Sequence, residues 1–251
     1  MGCTRPLVYA WAVNISSYGA THIGMVREFN EDAVLCRNDI GLWAVADGMG
    51  GHAAGDMASG EIIDCLQRLE PAEEFEKTLL RAQSLIHKAN ETLINDSQRF
   101  ERHRKPGSTV VALLLQADRG AVLWAGDSRL YRYRSQNLEQ LTRDHSHVQN
   151  LVEGGMLDAR NAESHPMANV ITRAVGIDIL LELATTEFQV NAGDRYLLCS
   201  DGLSRTVSDA EIGAALALDD SQKIVENLLP LALERGAPDN VSIISVNCAQ
   251  D

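Results

Sequence analysis

Cysteine, proline and aromatic residues are scarce in this chain of 251 residues, and long apolar runs are missing. It has six prolines and 5% aromatic residues, and no hydrophobic run approaches the roughly 18–20 residues that a membrane-spanning helix needs. The five cysteines are scattered, odd in number and never spaced C-x-x-C, which favours reduced thiols over a zinc ribbon or a disulfide framework. The stretch from Met1 to Val13 is interpreted as an ordinary N-terminal segment without a signal peptide or myristoylation signal. We therefore expect a cytoplasmic protein without a membrane partner.

Basic residues are also outnumbered, with 22 Lys and Arg against 35 Asp and Glu, which gives a formal net charge of −13. This charge disfavours non-specific binding to nucleic acid or anionic lipid, so no nucleic-acid partner is expected. An acidic protein can still handle phosphate where bound metal ions reverse the local charge. No repeat, Pro- or Ser-rich linker or block of like charge divides the chain. We predict a monomer with an N-terminal extension at residues 1–15 and one domain at residues 16–248.

Hydrophobic periodicity predicts a mixture of strands and helices. Short apolar or alternating runs predict strands at 42–46, 108–116, 121–125, 130–134, 181–190, 195–200 and 241–246. Helical spacing of apolar residues predicts helices at 53–69, 72–95, 208–218 and 220–235. Ser208 and Glu211 match a capping box at the start of the third helix, and the polar stretch 144–166 predicts short helix and loop. Because the helices cluster in two places among more numerous strands, the pattern indicates an α+β fold with helices packed on antiparallel sheet.

Four acidic clusters each stand at the end of a strand-like run or in the turn after it. They are Glu31-Asp32, Asp47-Gly48, Asp201-Gly202 and Asp239-Asn240. A buried carboxylate is costly unless it is compensated, and two unit charges about 4 Å apart repel by roughly 4 kcal/mol at an effective dielectric constant near 20. Several converging carboxylates would need hard cations, and all-oxygen ligands suit Mg²⁺ or Mn²⁺. Taken alone, each Asp is better explained as a turn cap, so the metal interpretation depends on the clusters occurring together.

Taken together, the clusters belong to a series of motifs. The stretch THIGMVREFNED, from Thr21 to Asp32, resembles the first motif of the metal-dependent protein serine/threonine phosphatases, the PPM family or type 2C. DGMGGH, which starts at Asp47, is similar to another motif of that family. Six further motifs follow in the family's order: GST at 107–109, GDSR at 126–129, LTRDHS at 141–146, ITRAVG at 171–176, SDGL at 200–203 and PDN at 238–240. The resemblance covers about residues 17 to 247 and indicates a stand-alone bacterial member.

This resemblance implies both a fold and an activity. The implied fold is an α-β-β-α sandwich, with two central antiparallel sheets flanked by helices. The implied reaction is hydrolysis of phosphoserine and phosphothreonine in proteins, opposing a Ser/Thr kinase, with two Mn²⁺ or Mg²⁺ ions and a third, weaker ion. A hydroxide bridging two ions would attack phosphorus directly, without a phosphoenzyme. Metal pairs about 3.5–4 Å apart are suited to this chemistry.

Residue by residue, the resemblance implies a set of metal ligands. They are Glu31, Asp32, Asp47, Gly48, Asp127, Asp201 and Asp239. Asp47 would bridge the two ions and act in catalysis, and the Gly48 carbonyl would ligate one of them. Asp201 and Asp239 would complete the first metal site.

The other implied roles concern the second ion, the third ion and the substrate. Glu31 would lie on the second ion, partly through water, and Asp32 would hold metal-bound water. Asp127 matches the acid that ligates a third ion together with Asp201. Arg27 matches the arginine that grips the substrate phosphate, and its planar fork suits phosphate oxygens better than Lys would. The alternative for Arg27 is a surface ion pair with Glu28 or Glu31.

Three positions depart from the pattern of some relatives. Met49 stands where mainly eukaryotic relatives have a general-acid His, so the leaving-group proton is expected from a metal-bound water. His52 is expected to have a structural role where the loop meets the helix. Arg205, four residues after Asp201, stands where some relatives carry another acid, which leaves the third ion in question.

The polar stretch 144–173 corresponds to the family's flap region, near the catalytic cleft. We expect it to gate or select substrates, with His145 and Arg173 among its residues. A zinc site formed by His145, His147 and His165 is the disfavoured alternative, because no Cys or acidic ligand has suitable spacing.

Other interpretations compete with the phosphatase. The segment from Gly48 to Ala53 also satisfies the dinucleotide pattern G-x-G-x-x-A, but the preceding Asp47 would repel a pyrophosphate. A catalytically inactive phosphoprotein-binding module is disfavoured because every core acid is present. A two-metal hydrolase of nucleic acid or nucleotides is disfavoured by the acidic charge and the lack of a basic, aromatic stripe.

Overall fold

Two antiparallel sheets occupy the centre of the molecule, in a computed structural model that describes residues 14–51, 53–97, 105–162 and 165–249. The strands of these sheets are β1 (Asn14–His22), β2 (Asp32–Arg37), β3 (Leu42–Met49), β4 (Gly107–Ser108), β5 (Val110–Gln116), β6 (Arg119–Ala125), β7 (Arg129–Arg134), β8 (Asn137–Gln140), β9 (Ala184–Gln189), β10 (Arg195–Cys199) and β11 (Val241–Ala249). One sheet has the order β1-β11-β10-β7-β8. The other has the order β2-β3-β5-β6-β9, with β4 paired to β3.

Helices cover the outer face of each sheet. They are α1 (Ala53–Gln67), α2 (Phe75–Asp96), α3 (His147–Glu153), α4 (Asp201–Ser204), α5 (Asp209–Leu216) and α6 (Ser221–Glu234), and a 3-10 helix spans Ala159–Asn161. α1 and α2 pack on the sheet that contains β3, and α5 and α6 pack on the sheet that contains β11. No helix among the described residues is both long and apolar enough to cross a bilayer.

Side chains alternate along each strand and divide the apolar core into three layers. In β3, Trp43 and Val45 point between the two sheets, whereas Leu42 and Ala44 face α1 and α2. In β11, Ile244 joins Trp43 between the sheets, and Ile243 faces α5 and α6. The layers therefore run α-β-β-α, which confirms the predicted sandwich.

Most predicted elements are present close to their predicted bounds, and the Ser208–Glu211 capping box has formed. The strands β1, β2 and β8 were not predicted, and all three lie at sheet edges. β1 and β8 alternate mainly between exposed and half-buried residues and carry no apolar run, whereas the short apolar run of β2, residues 33–36, was overlooked. The dinucleotide interpretation is wrong, because the described strands beside β3, namely β2, β4 and β5, are all antiparallel to it, and that fold needs parallel β-α-β units.

Two expectations concern parts of the chain outside the described residues. Most of the predicted N-terminal extension (residues 1–13) and the predicted structural role of His52 fall there. The described fold begins at Asn14, paired with Ala249.

Candidate metal centre

The first two acids meet because β2 and β3 are antiparallel neighbours. Asp32 is the first residue of β2, Asp47 lies near the end of β3, and the two residues are paired in register. The prediction that Glu31 and Asp32 follow a strand was wrong, because they stand at the start of one. In an antiparallel pair the start of one strand lies beside the end of its neighbour, so both acids still reach the same sheet edge.

Asp201 and Asp239 meet in the other sheet by the same geometry. Asp201 follows β10, whereas Asp239 precedes the antiparallel β11, so Asp239 also stands at the opposite end of a strand from the predicted one. A Cβ on Gly202 would lie 2.0 Å from the Asn240 carbonyl oxygen. Only glycine therefore allows the two acidic segments to approach this closely.

A short chain of hydrogen bonds joins the two sheets at this edge. The Ser200 hydroxyl, at the end of β10, donates to Asp32 Oδ2 at 2.8 Å, and the Ser242 backbone N–H donates to Ser200 Oγ at 2.9 Å. The acids of both sheets consequently face one another. We call this group the carboxylate cluster; its members are Glu31, Asp32, Asp47, Asp201 and Asp239.

Asn240 holds the loop of residues 23–31 against the cluster. Its Nδ2 donates to the carbonyl oxygens of Ile23 and Phe29, both at 2.9 Å, and its Oδ1 accepts from the Glu31 backbone N–H at 2.8 Å. Asn240 belongs to the PDN motif, but no role was predicted for it. The available signal was an Asn in a turn before a strand, where its side chain commonly bonds backbone.

Arg27 lies on that loop and contacts the cluster directly. Its Nη2 donates to Asp239 Oδ2 at 2.7 Å, and its side chain is 53% exposed. The alternative ion pair with Glu28 or Glu31 is not the one observed. Arg27 thus places a half-exposed guanidinium beside an acid of the cluster.

Gly48 and Glu31 lie side by side where β3 leads into α1. The Gly48 N–H donates to the Glu31 carbonyl oxygen at 3.1 Å. A Cβ on Gly48 would lie 2.2 Å from the Gly55 carbonyl oxygen, and one on Gly55 would lie 2.3 Å from Glu31 Oε1. The close approach of these backbones thus requires both glycines and sets the Glu31 carboxylate against the start of α1.

Burial and mutual repulsion raise the pKa values of the cluster acids. Burial, reinforced by the charges of Asp32 and Asp201, raises the pKa of Asp47 well above its usual range. Burial also raises the pKa of Asp32 to about 7, although hydrogen bonds from Ser200 and Ser242 oppose the rise. The pKa of Asp201 is raised chiefly by burial, against the effect of Arg205. Ionising all these acids together is therefore costly unless cations accompany them.

The cluster offers the donor set that a pair of hard cations takes. Its ligand atoms are carboxylate oxygens, and the buried Oδ1 atoms of Asp32 and Asp201 receive no hydrogen bond from the described part of the chain. Within that part, no three Asp, Glu, His or Cys side chains already present their donor atoms around one metal-sized point. Arg205 holds Oδ2 of Asp201 and leaves its Oδ1 for a metal ion, whereas Arg27 holds Oδ2 of Asp239 at the more exposed side of the cluster.

The implied third site is different, because an arginine already stands between its acids. Arg205 Nη2 lies 3.1 Å from Asp127 Oδ2 and 2.9 Å from Asp201 Oδ2. A divalent cation would need the oxygens that this guanidinium holds. In this structure the residues therefore do not fit a third ion.

The two named flap residues lie in unlike surroundings. His145 is 3% exposed, its ring stacks on Trp124 with the centroids 5.8 Å apart, and its Nδ1 accepts from the Gly126 N–H at 3.2 Å. Burial, with the positive charges of Arg173 and Arg143, lowers the pKa of His145 to about 4. Arg173 is more exposed and pairs with Glu182 at 2.9 Å. His145 is thus a buried, anchored part of the segment that is predicted to be the flap.

Comparison with known proteins gives the family. A family model described as protein phosphatase 2C matches residues 18–236. The chain belongs to the protein phosphatase 2C family. It is 38% identical over 222 residues to the serine/threonine protein phosphatase PstP of Mycobacterium tuberculosis, a match that covers 88% of this chain and 42% of PstP. The chain thus spans less than half the length of that relative.

Solved structures of similar proteins superpose on nearly the whole fold. PppA of Pseudomonas aeruginosa, described as a key regulatory component of T6SS, has a TM-score of 0.87 and 42% identity over 94% of this chain and 99% of its own. The catalytic domain of PstP in complex with two manganese ions has a TM-score of 0.84 and 35% identity, over 94% of this chain and 98% of its own. The predicted family and α+β sandwich are therefore confirmed.

Proposed function

We propose that this chain hydrolyses phosphoserine and phosphothreonine in proteins, with two Mn²⁺ or Mg²⁺ ions held by the carboxylate cluster. The observation that carries the proposal is the meeting of acids from both sheets at one edge, with the Arg27 guanidinium beside Asp239 at 2.7 Å. Membership of a phosphatase family supports the reaction class, and the manganese complex of the PstP catalytic domain supports the choice of metal.

The metal ligands would be Glu31, Asp32, Asp47, Asp201 and Asp239, together with the Gly48 carbonyl oxygen. When bound, the two ions would activate a water for in-line attack on phosphorus and neutralise the charge that develops on the phosphate. Asp47 is paired with Asp32 and lies close enough to Asp201 and Asp239 to feel their charges, so it would contact both ions.

The chain's own residues would bind and orient the substrate. Arg27 presents donors beside the cluster and is exposed enough to meet a phosphate from solvent, so it would hold the phosphate oxygens. Asn240 would keep the Arg27 loop in place through its three hydrogen bonds to residues 23–31. Asp32, fixed by Ser200, would position water within the cluster.

The remaining roles complete the proposal. The protein would act as a cytoplasmic monomer and would reverse the work of a Ser/Thr kinase on the same phosphorylated proteins. The segment 144–173 would serve as a flap that selects among protein substrates, with His145 as its buried anchor and Arg173 on its exposed side.

The test is metal-dependent hydrolysis by the full chain of a phosphothreonine peptide and of an aryl phosphate. We expect no turnover with chelator and recovery on addition of Mn²⁺. Asp47→Asn and Asp239→Asn should each lower kcat/KM by at least about 100-fold, since removing even a partner of a metal ligand costs about 10–100-fold.

The matched control is Asp118→Asn, an exposed acid in the β5–β6 turn, which should leave kcat/KM unchanged. Near wild-type activity of either cluster variant would refute the metal assignment. A wild-type protein that binds the phosphopeptide but releases no phosphate with Mn²⁺ would instead be an inactive binding module.

A further inference from the structure

Arg205 joins three separate parts of the chain. It caps the C-terminal end of α4, four residues after Asp201, and its Nη2 contacts both Asp201 and Asp127, the latter in the loop between β6 and β7. Its Nη1 donates to Oδ1 of Asn169, near the C-terminal end of the flap. One guanidinium thus links the carboxylate cluster, the β6–β7 loop and the flap.

The two acids need a cation at this point. The side chains of Asp127 and Asp201 are only 8% and 14% exposed, so water screens the repulsion between their negative charges poorly. A planar guanidinium can donate to two carboxylates and an amide oxygen at once, which an ammonium group does with less directional fit. Arg205 therefore supplies the charge that a divalent ion would otherwise supply, and it occupies the same oxygens.

We propose that Arg205 is a built-in cation that takes the place of a third metal ion and positions the flap through Asn169. The two-ion centre at Asp47 and Asp239 does not use this guanidinium, so the proposal concerns only the side of the cluster that faces the flap. It deepens the proposed function by fixing how many ions the chain binds. It also makes the position of the flap independent of metal concentration at this point.

The first experiment counts bound manganese by equilibrium dialysis and by calorimetric titration of the full chain. Arg205→Asp replaces the cation by a possible ligand, and it should bind one more Mn²⁺ per chain than the wild type. Adding Asp127→Asn to Arg205→Asp should remove that extra ion. The matched control is Arg119→Asp, because Arg119 also joins two carboxylates, Glu76 and Glu187, but stands at the opposite end of β6 from Asp127.

Two outcomes of the manganese count would overturn the proposal. One is an unchanged count in Arg205→Asp with an unaltered circular dichroism spectrum. The other is a wild-type protein that already binds an ion which Asp127→Asn abolishes. This proposal is tested by the difference in bound Mn²⁺ between variants, so it fails on different results from the proposed function. The proposed function fails if Asp47→Asn neither lowers turnover nor weakens Mn²⁺ binding.

The second experiment measures the flap without metal and does not depend on Arg205→Asp folding. In chelator, hydrogen exchange of the amides at residues 155–172 should become at least threefold faster in Arg205→Gln and in Asn169→Ala. Exchange in β5 and β6 should stay unchanged in both variants, and Arg119→Gln should leave the flap unaffected. Unchanged flap exchange in Arg205→Gln would show that the guanidinium does not position the flap.

Discussion

Two arginines contact the same group of acids, but their surroundings differ. Arg27 lies on a loop, is 53% exposed and pairs with one carboxylate that is itself 35% exposed. Arg205 is 30% exposed and holds two carboxylates that are nearly buried, together with an amide of the flap. The first arrangement suits an ion pair that opens to admit an anion, and the second suits one that stays closed. Residue type alone therefore does not decide the role; burial and the number of partners do.

The largest effect should come from removing the exposed guanidinium. Arg27→Ala should lower kcat/KM for an aryl phosphate by about 100-fold, because charge-assisted hydrogen bonds to phosphate are worth about 3 kcal/mol at most. Arg27→Lys should recover only part of the loss. The free energy of unfolding should change by less than about 1 kcal/mol, as expected for an exposed pair.

The control for Arg27→Ala is Arg37→Ala, another arginine paired with a single aspartate, Asp39, at 2.7 Å. It should leave kcat/KM unchanged. Wild-type kcat/KM in Arg27→Ala would show that Arg27 does not bind the substrate phosphate, and the functional difference between Arg27 and Arg205 would be refuted.

An intermediate effect is expected on the pH dependence of the unfolding free energy, through the buried side chain of His145. Folding lowers the pKa of His145 to about 4, whereas an unfolded His titrates near 6.5, so the unfolded chain binds more protons between these values. Stability from this group is therefore present above about pH 6.5 and is lost as the pH falls to about 4. Between those pH values the wild type should lose about 2–3 kcal/mol more unfolding free energy than His145→Gln.

Chemical denaturation at a series of pH values in chelator measures this difference. His87→Gln, on the exposed face of α2, is the control and should follow the wild-type pH profile. If the unfolding free energies of the wild type and of His145→Gln had the same pH dependence, the lowered pKa of His145 would be contradicted.

The smallest effect should come from the exposed part of the flap. Replacing residues 154–168 by the corresponding segment of a relative keeps His145 and Asn169 in place. It should change relative kcat/KM among phosphopeptides by about 10-fold, a size typical of pocket discrimination, and spare the aryl phosphate. Equal loss on both kinds of substrate, in parallel assays, would contradict a selective role for the flap.

Much of this fold could be predicted where burial leaves a strong pattern. The apolar stripe of α2 and the buried runs of β3, β5 and β10 are local signals, and the structure contains them. Edge strands such as β1 are half exposed and leave no such signal. Which end of a strand carries an acid also depends on its neighbour, so the positions of Asp32 and Asp239 were misjudged although their convergence was foreseen.

At the candidate site, motifs identified residues, but contacts between residues far apart in the sequence could not be predicted. Motif resemblance brought the acids and Arg27 together, but the partner of Arg27 lies 212 residues away, and no local pattern identifies it. The roles of Asn240 and Ser200 were missed because each acts by bonding across the chain. Arg205 was noticed as a departure, but its link to Asn169 needed the fold.

The seam formed by Asp32, Ser200 and Ser242 also has a consequence for the apolar layer beneath it. The acids of the two sheets meet at the edge where these hydrogen bonds join the sheets. The thickness of the apolar layer around Trp43 and Ile244 therefore sets the distance between the acids of one sheet and those of the other. A change of side-chain volume in that layer would change the distance between the acids of the two sheets. Apolar packing would therefore alter the affinity for metal ions that the apolar side chains do not contact.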